Sequence, residues 1–240
     1  MASVFPGDLE SGHPIEKDFS YNNNVAQANV SVRLNFLRKV YGILLTQLLV
    51  TMAVSAIMFA MKNQLLQMAS GPILLMLSFL ASIGLLIALV FKKYETPTNY
   101  ILLMGFTFTE SIIVGSAVIS YSAAIVFQAV GLTAVVTFCL MLYAMQTKRD
   151  FSKWGTGLLI TLLILVLAGA INILIGSSMF EFCLSLGGAV IFSMTIIYDT
   201  QRIMQHCSPE DYVVACVDLY LDIINLFLYI LRILKEMQRE

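Results

Sequence analysis

The chain has 240 residues, of which 59% are hydrophobic and 12% charged, and its net charge at pH 7 is −1. A soluble domain is typically about 25% charged. This composition, with a mean hydropathy of +0.85, excludes an ordinary water-soluble fold and indicates a protein whose solvent is lipid. The small net charge gives no electrostatic basis for nucleic-acid binding, and we expect no such partner.

The N-terminal segment differs in composition from the rest of the chain. It is polar and acidic, contains Pro and Gly, and shows no cleavable signal peptide. We predict that residues 1–30 form a flexible cytosolic tail and that residues 31–240 form a single helical membrane domain.

Long apolar stretches fill the remainder of the chain. A helix needs about 20 apolar residues to cross a bilayer core about 30 Å thick. Seven stretches qualify, at roughly 40–61, 72–91, 99–119, 123–145, 155–176, 180–200 and 212–231. They are continuously apolar instead of alternating, which favours helices over a β-barrel. The sequence therefore predicts an all-α integral membrane protein with seven transmembrane helices.

Basic residues orient these helices. The links that share a side with the N-terminus, and the N-terminus itself, carry Lys17, Arg33, Arg38, Lys39, Lys92, Lys93, Lys148, Arg149, Lys153 and Arg202. The positive-inside rule therefore predicts a cytosolic N-terminus. The C-terminus does not follow the positive-inside rule if there are seven spans. Seven spans would place its three basic residues on the side opposite the cytosol: Arg232, Lys235 and Arg239. Six spans with a re-entrant last segment would satisfy the charge rule and stay open as an alternative.

The last two apolar runs contain acids, each of which costs roughly 2.5–3.5 kcal/mol at a bilayer centre. Helical spacing places the polar residues of each run on one face. In the sixth run this face holds Ser185, Gly188, Thr195, Asp199, Arg202 and His206, and in the last run it holds Asp218, Asp222, Asn225, Tyr229 and Arg232. We predict that the two polar stripes turn towards the protein interior.

Two carboxyl groups that approach each other cannot both ionise cheaply, so Asp199 and Asp222 would share one proton and titrate in two steps. Deprotonation would repel the helices, and the anionic path would attract divalent cations most strongly. This predicts a proton-sensitive gate with a transient Ca²⁺ site. A purely structural ion pair with Arg202 is the alternative. Spacing alone favours a structural or interfacial role for Asp218. Glu110, within the third run, could line the same path or bond to another helix.

Several stretches carry a family resemblance. They include "RLNFLRKVYGILLTQLLVT" (33–51), "GFTFTES" (105–111), "QTKRDFSKWGTGL" (146–158), "IIYDTQ" (196–201), "SPEDYV" (208–213) and "LYLDIINLFLYILR" (219–232). On these residues the chain resembles the transmembrane Bax-inhibitor-motif, or Lifeguard, family over about residues 15–240. Within that family it is most similar to the Golgi anti-apoptotic branch.

The resemblance implies seven helices with the last one central. It implies a Ca²⁺ leak channel of Golgi and endoplasmic reticulum membranes that lowers lumenal calcium and suppresses apoptosis, with Asp199 and Asp222 as its pH-sensing pair. Calcium-release channels and apoptosis regulators are the partners it implies, an oligomer is compatible with it, and no resident cofactor is expected.

Two positions depart from the family pattern. Lys93, or Lys92, stands where relatives can use an arginine to lock the aspartate pair, so we expect Lys93 and Arg202 to be its ion-pair partners. Asp218 stands where relatives have a small polar residue. We expect Asp218, together with Glu110 and Asn225, in the ion pathway.

An intramembrane protease and a non-conducting adaptor are alternatives to a channel. Tyr198–Asp199 resembles the first motif of intramembrane aspartyl proteases, but Asp222 lies in "LYLDI" instead of the G-x-G-D that lets a substrate backbone approach. We therefore expect no enzyme. A non-conducting adaptor, which regulates calcium-release channels or apoptotic proteins by binding, is the stronger alternative, because suppressing apoptosis requires no ion flux.

Overall fold

The computed structural model describes residues 30–67 and 71–238, which are almost entirely helical. The long helices are α1 (Val30–Ala60), α2 (Gly71–Lys92), α3 (Thr98–Val118), α4 (Ala123–Gln146), α5 (Gly155–Ile175), α6 (Ser178–Gln205) and α7 (Tyr212–Met237). A short helix, Lys62–Gln67, follows α1, and single 3₁₀ turns at Ser152–Trp154 and Pro209–Asp211 precede α5 and α7. The predicted flexible tail lies outside the described residues, except for Val30, where α1 begins.

All seven long helices are long and apolar enough to cross a membrane, which confirms the predicted all-α, seven-helix architecture. The last helix decides between the two topologies left open by the sequence. α7 runs unbroken for 26 residues, a length of about 39 Å at the usual helical rise. It is one continuous helix and not a re-entrant hairpin.

The C-terminal helix is central, as predicted. In its most apolar window 67% of residues are buried, against 11–39% in the other six helices. It contacts α1, α3, α4 and α6, whereas α5 packs mainly along α6. Mean hydropathy separates α7, at 2.0, from the lipid-facing α5, at 2.9, but not from α3 or α6, both at 1.8. A helix that is apolar all round can face lipid, but one carrying aspartates must be enclosed by protein.

Short links with local stop signals make neighbouring helices antiparallel. The hydroxyl groups of Ser122 and Ser177 accept hydrogen bonds from backbone N–H groups in the first turns of α4 and α6, the usual role of a serine N-cap. Gly176 ends α5 with φ 67°, a left-handed conformation that glycine adopts without steric cost. The α5–α6 link is therefore a tight reversal.

Two of the three C-terminal cations that argued against seven spans, Arg232 and Lys235, lie near aromatic rings, and the third, Arg239, lies outside the described residues. The Arg232 guanidinium lies 5.4 Å from the centre of the Tyr229 ring, and Lys235 Nζ lies 5.3 Å from the centre of the Tyr121 ring. Both basic side chains are half-buried. A charge count treats them as free loop cations, whereas in the fold their contacts with protein stabilise them at this end of the bundle.

Candidate functional site

The polar stripes of α6 and α7 face each other, and Asp199 and Asp222 meet where they do. Their carboxyl groups are within hydrogen-bonding reach of each other. The Asp222 residue is only 7% exposed, and the Asp199 side chain is 13% exposed. Because α6 and α7 run antiparallel, residues one turn either side of this pair also fall opposite each other.

One oxygen of Asp222 is unusually placed. Oδ2 is buried and receives no hydrogen bond from any donor among the described residues. A buried carboxylate oxygen without a donor is costly when it is charged. A protonated Asp222 could instead donate to the Asp199 carboxylate. The geometry is therefore compatible with one proton held between two acids.

Among the described residues, Arg202 is the cation that forms ion pairs beside the aspartate pair. Its Nη1 lies 3.0 Å from Asp218 Oδ2 and 3.7 Å from Asp199 Oδ1, so the guanidinium bridges the two helices one turn from the pair. The predicted partnership of Arg202 with Asp199 is present, and a shorter one with Asp218 accompanies it. Asp218, for which spacing favoured a structural role and the family comparison a place in the ion pathway, is hydrogen-bonded to Arg202.

The other end of the stripe is closed by packing. The Tyr229 ring stacks on Phe192 with centroids 5.7 Å apart and fills the space beside Gly188, where a Cβ would lie 2.6 Å from the ring. Asn225, also predicted to line the path, donates its amide N–H to the Leu221 carbonyl on its own helix. In this structure Tyr229 occludes the stripe, and the hydrogen bond found for the Asn225 side chain goes to its own helix and not to the aspartates.

A polar cavity of about 130 Å³ opens where the ends of α2, α6 and α7 meet. It is lined by Lys93, Arg202, His206, Cys207, Asp211, Val214 and Ala215. Arg202 belongs both to this wall and to the contacts with Asp199 and Asp218. Arg202 therefore joins the cavity wall to the aspartate pair.

Lys93 is not a partner of the aspartate pair, which corrects the prediction made from the family pattern. Its Nζ donates to Asp211 Oδ1 at 2.8 Å, and this hydrogen bond to a carboxylate raises the Lys93 pKa. The lysine lies just beyond α2, and Asp211 lies in the turn before α7. Lys93 therefore connects the α2–α3 link to the α6–α7 link at the edge of the cavity.

Cys207, beside Lys93 in the cavity wall, is buried, and burial raises the pKa of its thiol to about 11. Its thiol therefore stays protonated at physiological pH. Since the thiolate is the reactive and metal-binding form, Cys207 acts here as an apolar wall residue.

Glu110 lies on a different face of α7 from the aspartate pair. Its carboxylate accepts a hydrogen bond from Ser82 of α2, and it interacts electrostatically with Tyr220. Tyr220 and Asp222 are two residues apart, which separates them by roughly 200° around a helix. Of the two alternatives for Glu110, the structure therefore shows bonding to another helix, and the expectation that it lines the aspartate path is corrected.

The described residues offer little basis for a stable metal site. Within residues 30–67 and 71–238 no group of three or more His, Cys, Asp or Glu side chains could hold a metal ion. Tight Ca²⁺ sites supply 6–8 oxygen ligands, so two aspartates fit at most a transient contact with a passing ion.

Comparison with known proteins identifies the family. Residues 33–239 match the family described as "Inhibitor of apoptosis-promoting Bax1", and the chain belongs to this Bax inhibitor, or Lifeguard, family. It is similar to the "Golgi anti-apoptotic protein" of Vaccinia virus (strain Lister), with 43% identity over 227 residues, 95% of this chain and 96% of that protein.

Two cellular relatives show the same likeness. "Protein lifeguard 4" of Mus musculus is 41% identical over 236 residues, which cover 97% of this chain and 99% of the relative. "Bax inhibitor 1" of Schizosaccharomyces pombe is 36% identical over 227 residues, 94% of this chain and 85% of that protein. The similarity is thus to whole proteins and not to one shared segment.

Proposed function

We propose that the protein inhibits apoptosis from within an intracellular membrane, as a proton-sensitive leak for Ca²⁺. The observation that carries the proposal is the pair of facing acids, Asp199 and Asp222, on the most buried helix and its main packing partner. Family membership and the printed names of the viral and mouse relatives support the anti-apoptotic part. The Ca²⁺ leak and its pH sensitivity rest on the chemistry of the site.

The charge state of the pair sets the state of the path. With one proton, the acids share a hydrogen bond and α6 and α7 stay together. Without it, two like charges about 4 Å apart repel by roughly 4 kcal/mol at an effective dielectric constant of 20. Asp218 adds a third acid one turn away, and Arg202 partly offsets the charges of Asp199 and Asp218. Deprotonation therefore separates the helices and leaves an anionic route, so flux rises with pH.

The entry to this route is the polar cavity between the ends of α2, α6 and α7. Arg202 lines it and repels cations while it faces Asp199. Once both aspartates are charged, their field attracts a divalent cation more strongly than a monovalent one. Movement of Tyr229 away from Gly188 would then open the far end of the stripe, because that contact closes it in this structure.

The location and orientation follow from the same proposal. We assign the protein to Golgi and endoplasmic reticulum membranes, as the name of the viral relative suggests for the Golgi. We also propose that the cavity end and the N-terminus face the cytosol, because the basic residues at that end, including Lys148, Arg149 and Lys153, favour that side under the positive-inside rule. Calcium-release channels and apoptosis regulators remain the partners we propose. We propose no catalytic activity.

The alternative is a non-conducting adaptor, and one experiment separates the two. Purified full-length protein is reconstituted into liposomes that contain a Ca²⁺ indicator, and Ca²⁺ entry is followed at pH 7 beside protein-free liposomes. The leak proposal predicts entry well above the protein-free rate. Folded protein that gives no entry at any pH would favour the adaptor and a structural role for the aspartates.

A further inference from the structure

A second cluster of polar side chains lies on the face of α7 opposite the aspartates, and it was not predicted from the sequence. We call it the Glu110 cluster; it comprises Gln47 and Thr51 of α1, Ser82 of α2, Thr107, Glu110 and Ser111 of α3, and Tyr220 of α7. Glu110 and Ser82 are close to the midpoints of α3 and α2. The cluster therefore lies near the centre of the membrane.

The Glu110 cluster contains more hydrogen-bond acceptors than donors. Thr51, Thr107 and Ser111 each direct a hydroxyl hydrogen to the backbone carbonyl one turn earlier, at 2.9, 2.8 and 2.6 Å. The hydroxyl of Tyr220, 2.8 Å from Thr51 Oγ1, must then be the donor in that contact. Ser111 Oγ also lies 3.1 Å from Thr51 Oγ1 as a second possible donor, so Thr51 is fully engaged. Since a hydroxyl has one hydrogen and two lone pairs, Thr107, Ser111 and Tyr220 keep spare acceptor capacity.

Two further acceptors nearby are unpartnered. Gln47 is fully buried and donates its amide N–H to Thr107 Oγ1 at 3.0 Å, yet its Oε1 has no partner in the described part of the chain. Ser55, two turns after Gln47 on α1 and 9% exposed, has an unpartnered Oγ there as well. Buried acceptors without a donor are expensive unless something positive approaches them.

The charge balance points the same way. Glu110 is the only acid of the cluster, and no described lysine or arginine forms an ion pair with it. The other titratable group that faces it is the Tyr220 phenol. A carboxylate surrounded by oxygen acceptors recognises a cation, and a single negative charge suits a single positive one. Ca²⁺ sites draw several charged ligands, which this cluster does not offer.

We propose that the Glu110 cluster binds one singly charged cation, Na⁺ or a proton, independently of the aspartate pair. The carboxylate of Glu110 supplies the charge, its hydrogen-bond partner Ser82 supplies a neutral oxygen atom, and Tyr220, which interacts electrostatically with Glu110, supplies a second hydroxyl in the same cluster. The cluster joins α1, α2 and α3 to α7, so an occupied site stabilises the bundle on the side that the aspartates do not reach.

The test uses the purified full chain in lipid nanodiscs. Thermal unfolding is measured at pH 8 and pH 5 with rising NaCl, against choline chloride at equal ionic strength. We expect Na⁺ to raise the wild-type Tm at pH 8 and less at pH 5, where protons compete. The double variant Asp199→Asn, Asp222→Asn and the control Glu181→Gln keep the response, and Glu110→Gln loses it.

Infrared spectroscopy of the carboxyl band tests whether the occupant is a proton. If Na⁺ has no effect, a protonated-carboxyl band that disappears on raising the pH and is missing in Glu110→Gln identifies the proton as the occupant. A Na⁺ response that survives Glu110→Gln would overturn the proposal. So would the absence of both a Na⁺ response and a pH-dependent Glu110 band. Should Glu110→Gln fail to fold, Ser82→Ala must raise the NaCl concentration that gives half the response, and an unchanged value contradicts the site.

Discussion

The two polar faces of α7 differ in kind. The face towards α6 holds Asp218 and Asp222 opposite Arg202 and Asp199, and its contacts are between ionisable groups. The face towards α1 and α3 holds Tyr220, whose hydroxyl joins a chain of neutral oxygen atoms. On the first face three acids and one arginine from two helices lie close together, whereas on the second Glu110 is the single acid of a cluster of neutral oxygen atoms.

This difference assigns separate tasks to the two sides of one helix. Like charges on the α6 side create a force that can move helices apart. Hydrogen bonds on the α1–α3 side hold helices in place, at roughly 1 kcal/mol each. We therefore expect changes to the α6 face to alter gating and changes to the other face to alter stability.

The largest effect on gating should follow loss of the bridging arginine. In Arg202→Gln, Asp199 and Asp218 lose their cation, so ionising the aspartate pair becomes harder. The midpoint of Ca²⁺ flux against pH should move upward by about one unit, which is about 1.4 kcal/mol of lost interaction. Arg149→Gln, at the same end but exposed, should leave the midpoint in place. An unchanged midpoint in Arg202→Gln would mean that the arginine does not act on the pair.

A neighbouring pair of glycines tests the closure at the far end of the stripe. Gly188→Ala places a Cβ 2.6 Å from the Tyr229 ring, whereas a Cβ at Gly187 meets nothing within 4 Å. Overpacking of this kind costs about 1–3 kcal/mol, so Gly188→Ala should lower Tm and raise resting flux. Gly187→Ala should do neither. Equal behaviour of the two variants would argue against Tyr229 as the closing residue.

A change on the Tyr220 face of α7 should alter the stability of the protein but not its gating. Tyr220→Phe removes the hydrogen bond to Thr51 and should lower the free energy of unfolding by about 0.5–1.5 kcal/mol, measured by thermal unfolding in nanodiscs. The pH midpoint of Ca²⁺ flux should not move. Tyr143→Phe, at an exposed tyrosine, is the matched control. A shifted midpoint in Tyr220→Phe would show that the two faces are not independent.

The smallest effect concerns Lys93. Its ion pair with Asp211 is partly exposed, with side chains 27% and 31% accessible, so Lys93→Gln should cost at most about 1 kcal/mol. Because the folded-state pKa of Lys93 is raised, its contribution is present below lysine's ordinary pKa and is lost only as pH rises through the raised value. The loss should therefore be constant from pH 5 to 8, and the flux midpoint should stay fixed. A moved midpoint would restore Lys93 as a lock on the aspartates.

The sequence was sufficient for the architecture, because the determining signals are local. Each apolar stretch is long enough to cross a bilayer, and charge spacing marked the faces of α6 and α7 that meet. The topological uncertainty at the C-terminus came from counting Arg232 and Lys235 as free cations. Their contacts with aromatic rings depend on tertiary structure, which no charge count includes.

The candidate site was only partly predictable. Charged residues interrupt apolar runs and are visible at once, so the Asp199–Asp222 pairing could be predicted. The partner of Lys93 could not, because Asp211 is 118 positions away in sequence. The Glu110 cluster was missed because hydroxyl residues are compatible with apolar helices. The four-residue spacing of Gln47, Thr51 and Ser55 on α1 was the available signal.

The most direct test of the central claim is the pH profile of Ca²⁺ flux into liposomes from pH 5 to 8, for wild type and for Asp199→Asn combined with Asp222→Asn. His206 also lines the cavity, so His206→Gln is measured in parallel as a control. The account predicts flux that rises with pH in wild type and in His206→Gln and a flat profile in the double variant. A double variant that keeps the wild-type profile would contradict the claim that the two aspartates form the gate.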